Sequence, residues 1–283
     1  MFQYAIARAL SERYQTSFAL NRSWFDVPQA NVTSRELQLN LLKIKDVDFI
    51  SEDFPKKPGR LKRLLQGITS GGPLVYYQKN AFDFDPQLLN LKINVSRDLY
   101  LLGYWQGFSY INSIRSNLQK EFQVASNLPD AYQTYLEKIK STESVMVHIR
   151  RGDYVNSPSA AKIHGALPID YYLKSIDALL ESNPNAHFFI FSDDLKWAKT
   201  ALNNSIEKTF IEGAASSDSV VFELQLMMSC KHHIIANSSL SWWGAWLKQE
   251  DGGLVLAPSR WVNDSSQNLS NLLPSNWIRM QIQ

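Results

Sequence analysis

The sequence predicts an α/β protein with parallel sheets flanked by helices, and three observations carry that expectation. Short β-branched or aromatic runs end in polar turns at Val145-Met146-Val147-His148-Ile149, His187-Phe188-Phe189-Ile190-Phe191 and Ile234-Ile235-Ala236. Helix-like stretches separate them, and alternation of this kind marks a doubly wound sheet. The runs are apolar almost throughout, as strands covered on both faces must be.

Taken in order, the chain opens on a helix. Phe2, Ala5, Ile6, Ala9 and Leu10 recur at helical spacing, with only Met1 ahead of them. A helix without a cap or turn before it reads as a chain that begins in mid-element. Phe18-Ala19-Leu20 fits a strand. Residues 51–73 collect Pro55, Pro58, Gly59, Gly71, Gly72 and Pro73 among basic residues, which predicts a mobile insertion. Asp98 to Gln106 reads as a strand running into an aromatic turn, and Phe108 to Phe122 and Pro129 to Ile139 as helices. A boundary near Lys140 would then divide domains 1–140 and 141–283.

Beyond it, Pro168 introduces a helix from Asp170 to Glu181. Ser192-Asp193-Asp194 closes the second strong strand and can cap a helix from Leu195 to Leu202. Lys208 to Ile211 is a weaker strand and Ser219 to Ser229 a helix. Asn237-Ser238-Ser239 can cap a helix through Trp242-Trp243 to Trp246-Leu247. Gly253 to Ala257 completes the series. Ligands of such sheets sit beyond the carboxyl ends of the strands, which singles out the turns after Ile149, Phe191 and Ala236.

Composition narrows the function. The 283 residues suffice for two domains, and the 45% hydrophobic and 20% charged fractions suit a globular protein. A net charge of +2 argues against a dedicated nucleic-acid binder. The single cysteine, Cys230, lies in an apolar run and reads as a buried thiol. No run of about 18 apolar residues and no signal peptide is visible, so the expected compartment is the cytoplasm.

His148-Ile149-Arg150-Arg151-Gly152-Asp153 stands where a strand ends. Guanidinium groups grip phosphate oxygens bidentately, and the glycine lets backbone approach a ligand. Strand alternation puts His148 and Arg150 on one face and Arg151 on the other, so one arginine can hold a ligand while its neighbour is structural. Asn237, Ser238, Ser239 and Ser241 at a helix start offer N–H groups and the positive dipole end to an anion, although plain capping accounts for them equally. The tryptophans that follow fit core packing better than sugar platforms, and Gly244 fits a close helix approach. Glu223 has the two acceptor oxygens that guanine's N–H donors require, yet alone it is an ordinary helix glutamate. Asp193 could bind a ribose or cap a helix. His232 and His233 are adjacent rather than spaced as metal ligands. Asp46-Val47-Asp48 and Asp83-Phe84-Asp85 resemble the acidic motif of metal-dependent glycosyltransferases but follow no recognisable nucleotide-binding strand.

Three segments together resemble glycosyltransferase family 11, the α-1,2-fucosyltransferases: Met1 to Ala5, Val147 to Tyr154 and Cys230 to Trp246. Phe191-Ser192-Asp193-Asp194 and Gly103-Tyr104-Trp105-Gln106 are also similar to that family, in the same order. The resemblance implies two Rossmann-like domains in the GT-B arrangement, an acceptor-side N-terminal one and a C-terminal one that binds the GDP-sugar. It implies a grip on GDP pyrophosphate by His148, Arg150, Arg151 and Asp153, a phosphate contact from Asn237, Ser238, Ser239 and Ser241, and guanine recognition by Glu223. The implied reaction is inverting transfer of L-fucose from GDP-fucose to a hydroxyl of a galactose-containing acceptor glycan, in surface-glycan, O-antigen or lipopolysaccharide synthesis. It needs no metal or other cofactor, and it is compatible with peripheral contact with the inner membrane. Arg150, His148 and Asp153 are the candidate catalytic groups; Asp153, His148 and Glu12 are the candidates for general base, with nothing to choose among them. The family pattern places a strand and Gly-Gly-x-Gly-Asn-Gln ahead of Met-Phe-Gln-Tyr-Ala, so the expectation is an N-terminally truncated form with a labile first domain. A fucosyltransferase of other linkage or acceptor, and a non-catalytic GDP-sugar-binding relative, fit the same motifs.

Overall fold

A computed structural model describes residues 1–26, 36–45, 47–53, 74–91, 98–213, 219–248 and 252–282. The chain divides into two compact units, Met1–Leu37 with Lys45–Ile114 and Asn268–Leu272, and Gln38–Ile44 with Arg115–Gln267 and Leu273–Gln283. Asp46 and most of the breaker-rich stretch, from residue 54 to 73, lie outside the described residues.

In the first unit, helix α1 (Phe2–Tyr14) buries Phe2, Tyr4, Ala5, Ile6, Ala9 and Leu10 along the stripe set by their spacing. It stops at Gln15, whose left-handed backbone returns its N–H to the Ser11 carbonyl. Strand β1 (Ala19–Asn21), helix α2 (Ser23–Asp26) and strand β2 (Asp48–Ile50) follow, with β1 and β2 paired in parallel. A second parallel pair joins β3 (Leu74–Tyr77) and β4 (Leu99–Leu102), with the short helix α3 (Pro86–Leu89) between them. Asp85 caps α3 by accepting from the Gln87 N–H at 2.9 Å, and it also receives the Tyr76 hydroxyl. The Asp-x-Asp at Asp83 to Asp85 is thus used in local structure.

Phe108 to Phe122, expected to be one helix, is three pieces. Two 3₁₀ turns, Phe108–Tyr110 and Asn112–Ile114, precede helix α4 (Arg115–Glu121). Asn271 accounts for the break: its carbonyl takes the Phe108 N–H at 3.0 Å and its Oδ1 takes the Ser109 N–H at 3.3 Å. Those bonds tie the first turn into the first unit. The boundary therefore falls at Ile114 and Arg115, not near Lys140. Helix α5 (Asp130–Lys140) belongs with the second unit, to which Tyr132 and Lys138 bind it through Phe222 and the Thr209 hydroxyl.

The second unit continues as β5 (Glu143–Ile149), α6 (Gly152–Asn156), α7 (Pro158–Ile163), α8 (Ile169–Ser182), β6 (Ala186–Ser192), α9 (Leu195–Ala201), β7 (Lys208–Phe210), α10 (Ser219–Ser229), β8 (His232–Ile234), α11 (Ser239–Trp246), β9 (Val255–Pro258) and β10 (Ile278–Met280). All six strands are parallel, in the order β10-β9-β8-β5-β6-β7. The α/β class and the flanked parallel sheet expected from the sequence are what the chain adopts.

The sheet is covered on both faces. Val145, Val147, Ile149, Phe188, Ile190, Ile234 and Leu256 pack with Tyr171, Tyr172, Ile176 and Leu179 of α8 and Ala198 of α9. On the opposite face a His233 ring nitrogen meets the Met227 carbonyl of α10 at 2.8 Å. Helices α10 and α11 are apolar nearly all round, as buried helices are. Trp242, Trp243 and Trp246 are buried, with Trp242 stacked on Trp246 and Trp243 edge-on to both, and a Cβ at Gly244 would stand 2.7 Å from that of Met227. The tryptophans are core, and the glycine sets the helix approach. Cys230 is fully buried, and burial pushes its thiol pKa far up.

Strand β8 starts at His232, two residues earlier than the apolar run suggests. A buried histidine is tolerated there because both ring nitrogens are satisfied. Nδ1 accepts from the Leu254 N–H at 3.0 Å, which leaves Nε2–H to donate to Glu143 at 2.7 Å.

Candidate functional site

Strand order fixes where to look. From β5 the chain winds outward through β6 and β7, then returns to the other side of β5 as β8. The direction in which the chain adds strands reverses between β5 and β8, and ligands of such sheets sit outside the carboxyl ends at that switch. The turns Arg150–Asp153 and Asn237–Ser239 are the two that border it. They are joined across it by the Tyr154 hydroxyl, which donates to the Asn237 carbonyl at 3.0 Å.

Arg150 sits between two carboxylates, 2.7 Å from Asp153 and 3.0 Å from Asp193, and its side chain keeps 22% exposure. Its guanidinium also lies 5.6 Å from the centre of the Tyr154 ring. The two acids orient the group and leave further N–H donors for a ligand, so its geometry is set before an anion arrives. Arg151 does something else. It lies 3.9 Å over the Trp197 ring and reaches Asp194 at 3.4 Å, which makes it the structural member of the pair. Of the two arginines expected to bind the donor, Arg151 is thus held by Trp197 and Asp194, while Arg150 stands at the switch point.

Asp193, expected to touch a ribose or cap a helix, holds the turn instead. Its two oxygens accept the N–H groups of Arg151 at 2.8 Å and Gly152 at 3.0 Å while pairing Arg150. A Cβ at Gly152 would come within 2.7 Å of that carboxylate, so the tight turn needs glycine. Asp194 is the residue that caps α9, accepting from the Trp197 N–H at 3.1 Å.

His148, expected among the catalytic groups, is only 4% exposed. Burial first and the Arg150 charge second push its pKa down to about 3, so it stays neutral and is too weak a base to take a proton near neutrality. Asp153 is engaged with Arg150 and Glu12 with Arg8 at 3.0 Å. The contacts of the three groups considered as general base single out none of them for that work.

Asn237 and Ser241, expected to contact phosphate, turn inward. Asn237 is 2% exposed, and its Nδ2 donates to the carbonyls of His164, Gly165 and Trp261, each at 3.2 Å. The Ser241 hydroxyl returns to the Ala236 and Ser238 carbonyls. Ser238 occupies the N-cap position of α11 without a side-chain cap bond. The first N–H groups of that helix are therefore not closed off by a cap, and Ser238 and Ser239, half-buried and exposed, remain beside them.

Glu223 is half-buried on α10. Its Oε1 would lie 3.1 Å from a Cβ placed on Gly213, just past β7. Burial, and then the Asp193 charge, push its pKa up to about 7. Tyr154 was not anticipated as a site residue. Its ring stacks on His164 at 4.9 Å while its hydroxyl crosses to Asn237, and only its position one residue past Asp153 hints at this.

The model of the family described as "Glycosyl transferase family 11" matches residues 79–281. The chain belongs to glycosyltransferase family 11. This family 11 glycosyltransferase is similar to the "Alpha-1,2-colitosyltransferase" of Escherichia coli, 38% identical over 70% of this chain and 69% of that one. It is similar to the "O-antigen biosynthesis glycosyltransferase WbnK" of Escherichia coli, 32% identical over 99% of this chain and 96% of that one. It is also similar to the "Galactoside 2-alpha-L-fucosyltransferase SEC1" of Bos taurus, 27% identical over 52% of this chain and 41% of that one. No helix among the described residues is long and apolar enough to cross a membrane.

Proposed function

We propose that this glycosyltransferase moves a 6-deoxy-L-hexose, foremost L-fucose, from its GDP ester to the 2-hydroxyl of a galactoside, with inversion and without a metal. The observation that carries the reading is Arg150, fixed between Asp153 and Asp193 at the switch point beside the uncapped start of α11. In this reading the second unit binds the donor and the first unit the acceptor. The acceptor hydroxyl attacks the anomeric carbon, the bond to the diphosphate breaks, and negative charge gathers on departing GDP. Arg150 and the N–H groups of α11 meet that charge where it develops, which is where interaction energy lowers the barrier. One relative's name supports a surface-glycan product such as O-antigen, and in this reading the protein works in the cytoplasm, peripheral to the inner membrane.

One relative favours a second donor, colitose, which is fucose without its 3-hydroxyl. Comparing kcat/KM for the two GDP-sugars with a β-galactoside acceptor tests both. A site that hydrogen-bonds the 3-hydroxyl should reject the deoxy sugar by about 10⁴-fold, whereas an apolar pocket should discriminate against the extra hydroxyl by only about 10²-fold. Turnover of neither sugar would end the proposal. Transfer should also persist in excess chelator, and strict dependence on added manganese or magnesium would remove the metal-free mechanism.

Glu223 gives the proposal a pH signature. Guanine's N–H donors need the carboxylate, but the free protein holds the proton up to a pH of about 7. Affinity for guanosine, which carries no phosphate to titrate, should therefore rise as pH climbs towards 7 and level off above it. Glu223→Gln should bind weakly with no such rise, and the same profile in both proteins would return Glu223 to an ordinary helix position. The sign for stability is the reverse. An acid whose folded pKa lies above its unfolded value costs stability as pH rises from about 4.5 to about 7.

A further inference from the structure

We propose that Tyr104 is a stacking platform for the pyranose ring of the acceptor, an inference that rests on reading the chain as a galactoside-modifying transferase. Tyr104 belongs to the turn Gly103–Gln106, which leaves β4 at its carboxyl end, the side on which parallel α/β units take their ligands. The next residue, Trp105, has φ at +56°, a left-handed conformation that a bulky side chain seldom adopts. Its indole Nε1 is buried with no hydrogen-bond partner among the described residues, a second cost at the same position. Strain of this kind persists only where surrounding structure over-determines it, and it gathers at ligand sites.

The surrounding structure does over-determine it. The Trp105 N–H donates to Gln78 Oε1 at 2.7 Å, and Gln78 Nε2 and the Gln106 backbone N–H both donate to the Ala81 carbonyl at 3.1 Å. From α1, Gln3 Nε2 donates to the Gly103 carbonyl at 3.2 Å. Gly103 leaves no room for a side chain, since a Cβ there would stand 2.5 Å from that of Gln78. The indole is wedged between Tyr76 and Tyr110, at ring distances of 6.2 and 5.9 Å.

All this holds Trp105 inward and turns its neighbour out. Tyr104 is 68% exposed, more than any other large apolar side chain among the described residues. A surface tyrosine on a loose loop would call for no comment; this one is displayed on a rigid, strained turn. Its ring face carries partial negative charge and is flat and apolar. Galactose presents a matching surface, because its axial 4-hydroxyl leaves one face of the ring covered only by C–H bonds polarised by neighbouring oxygens. A charged diphosphate has no use for such a surface.

The test is NMR titration of the full chain with methyl β-D-galactopyranoside, for wild type, Tyr104→Ala and Tyr104→Phe, with GDP titrated in parallel. Tyr104→Ala should weaken galactoside binding about tenfold or more, a loss of about 1.4 kcal/mol. Tyr104→Phe should stay within about twofold, and GDP affinity and the melting temperature should not move. Equal galactoside binding by wild type and Tyr104→Ala, or none by wild type, overturns the platform. A parallel loss of GDP affinity also overturns it, since the ring would then stack on the nucleobase. If wild type transfers no sugar from GDP-fucose while galactoside binding still depends on Tyr104, the platform stands and the donor assignment falls.

Discussion

Arg150→Ala is expected to lower kcat/KM for transfer by about 10²–10³-fold, roughly 2.7–4 kcal/mol of lost transition-state stabilisation. Most of the loss should fall on kcat, because the charge that Arg150 meets grows as the diphosphate leaves. The substitution also leaves Asp153 and Asp193 facing one another without the cation between them. Part of any effect could therefore be a disturbed turn, and Arg150→Lys separates the two causes. Lysine keeps the counter-charge but loses the planar fork, so it should hold the melting temperature near wild type while recovering little activity. The check is steady-state kinetics beside thermal unfolding for both variants. Near-wild-type turnover by Arg150→Ala would remove this residue from the mechanism.

Asn237→Ala is expected to give the largest loss of stability among single changes near the site. One buried amide donates to three backbone carbonyls, those of His164, Gly165 and Trp261, and thereby ties the loop after α7, the loop after β9 and the end of β8 together. Alanine removes two N–H donors shared among one buried and two part-buried backbone carbonyls. At about 1–3 kcal/mol for each unsatisfied group, partly relieved by entering water, a net cost of about 3 kcal/mol or more is expected. For a unit of this size that lowers the melting temperature by roughly 6–12 °C. Asn237→Asp is the sharper probe, since it keeps the shape but turns a donor into an acceptor aimed at three oxygens. If either variant melts with wild type, the clamp carries little of the fold's stability.

The centre of the second unit is legible in the sequence because β5 and β6 are seven-residue apolar runs covered on both faces, whereas the three-residue, largely exposed β10 escapes notice. Val145 to Ile149 and His187 to Phe191 admit no other reading once polar turns close them. The first unit is not. Its strands have three or four half-buried residues each, so Leu74 to Tyr77 lacks both the alternation of a half-exposed strand and the length of a buried one. Helices α6 and α7 escape notice for a different reason. Gly152, Asn156, Ser157 and Pro158 are turn residues by type, and the helices they bound are a turn or two long.

At the site, sequence indicates which turns matter better than which atoms point outward. Strand alternation predicts different surroundings for Arg150 and Arg151, and their partners do differ. Asn237 does not, because an asparagine at a helix start can cap, bind or clamp, and only the three carbonyls around its amide decide between these. Asp193 is similar: a carboxylate after a strand can face a ligand or fold back on the neighbouring turn, and the approach of Gly152 selects the second.

The strand order has a consequence in time as well as space. The two turns that flank the switch point are carried by adjacent strands that lie far apart in sequence: Glu143 and His232, which touch at the opposite end of those strands, are 89 positions apart. Pairing β8 with β5 closes a loop of that length, so formation of this ladder is non-local and slow. An anion that bridges both turns gains its full set of contacts only after that docking. It binds the native state and little that precedes it, and so it slows unfolding while leaving the rate of folding nearly unchanged.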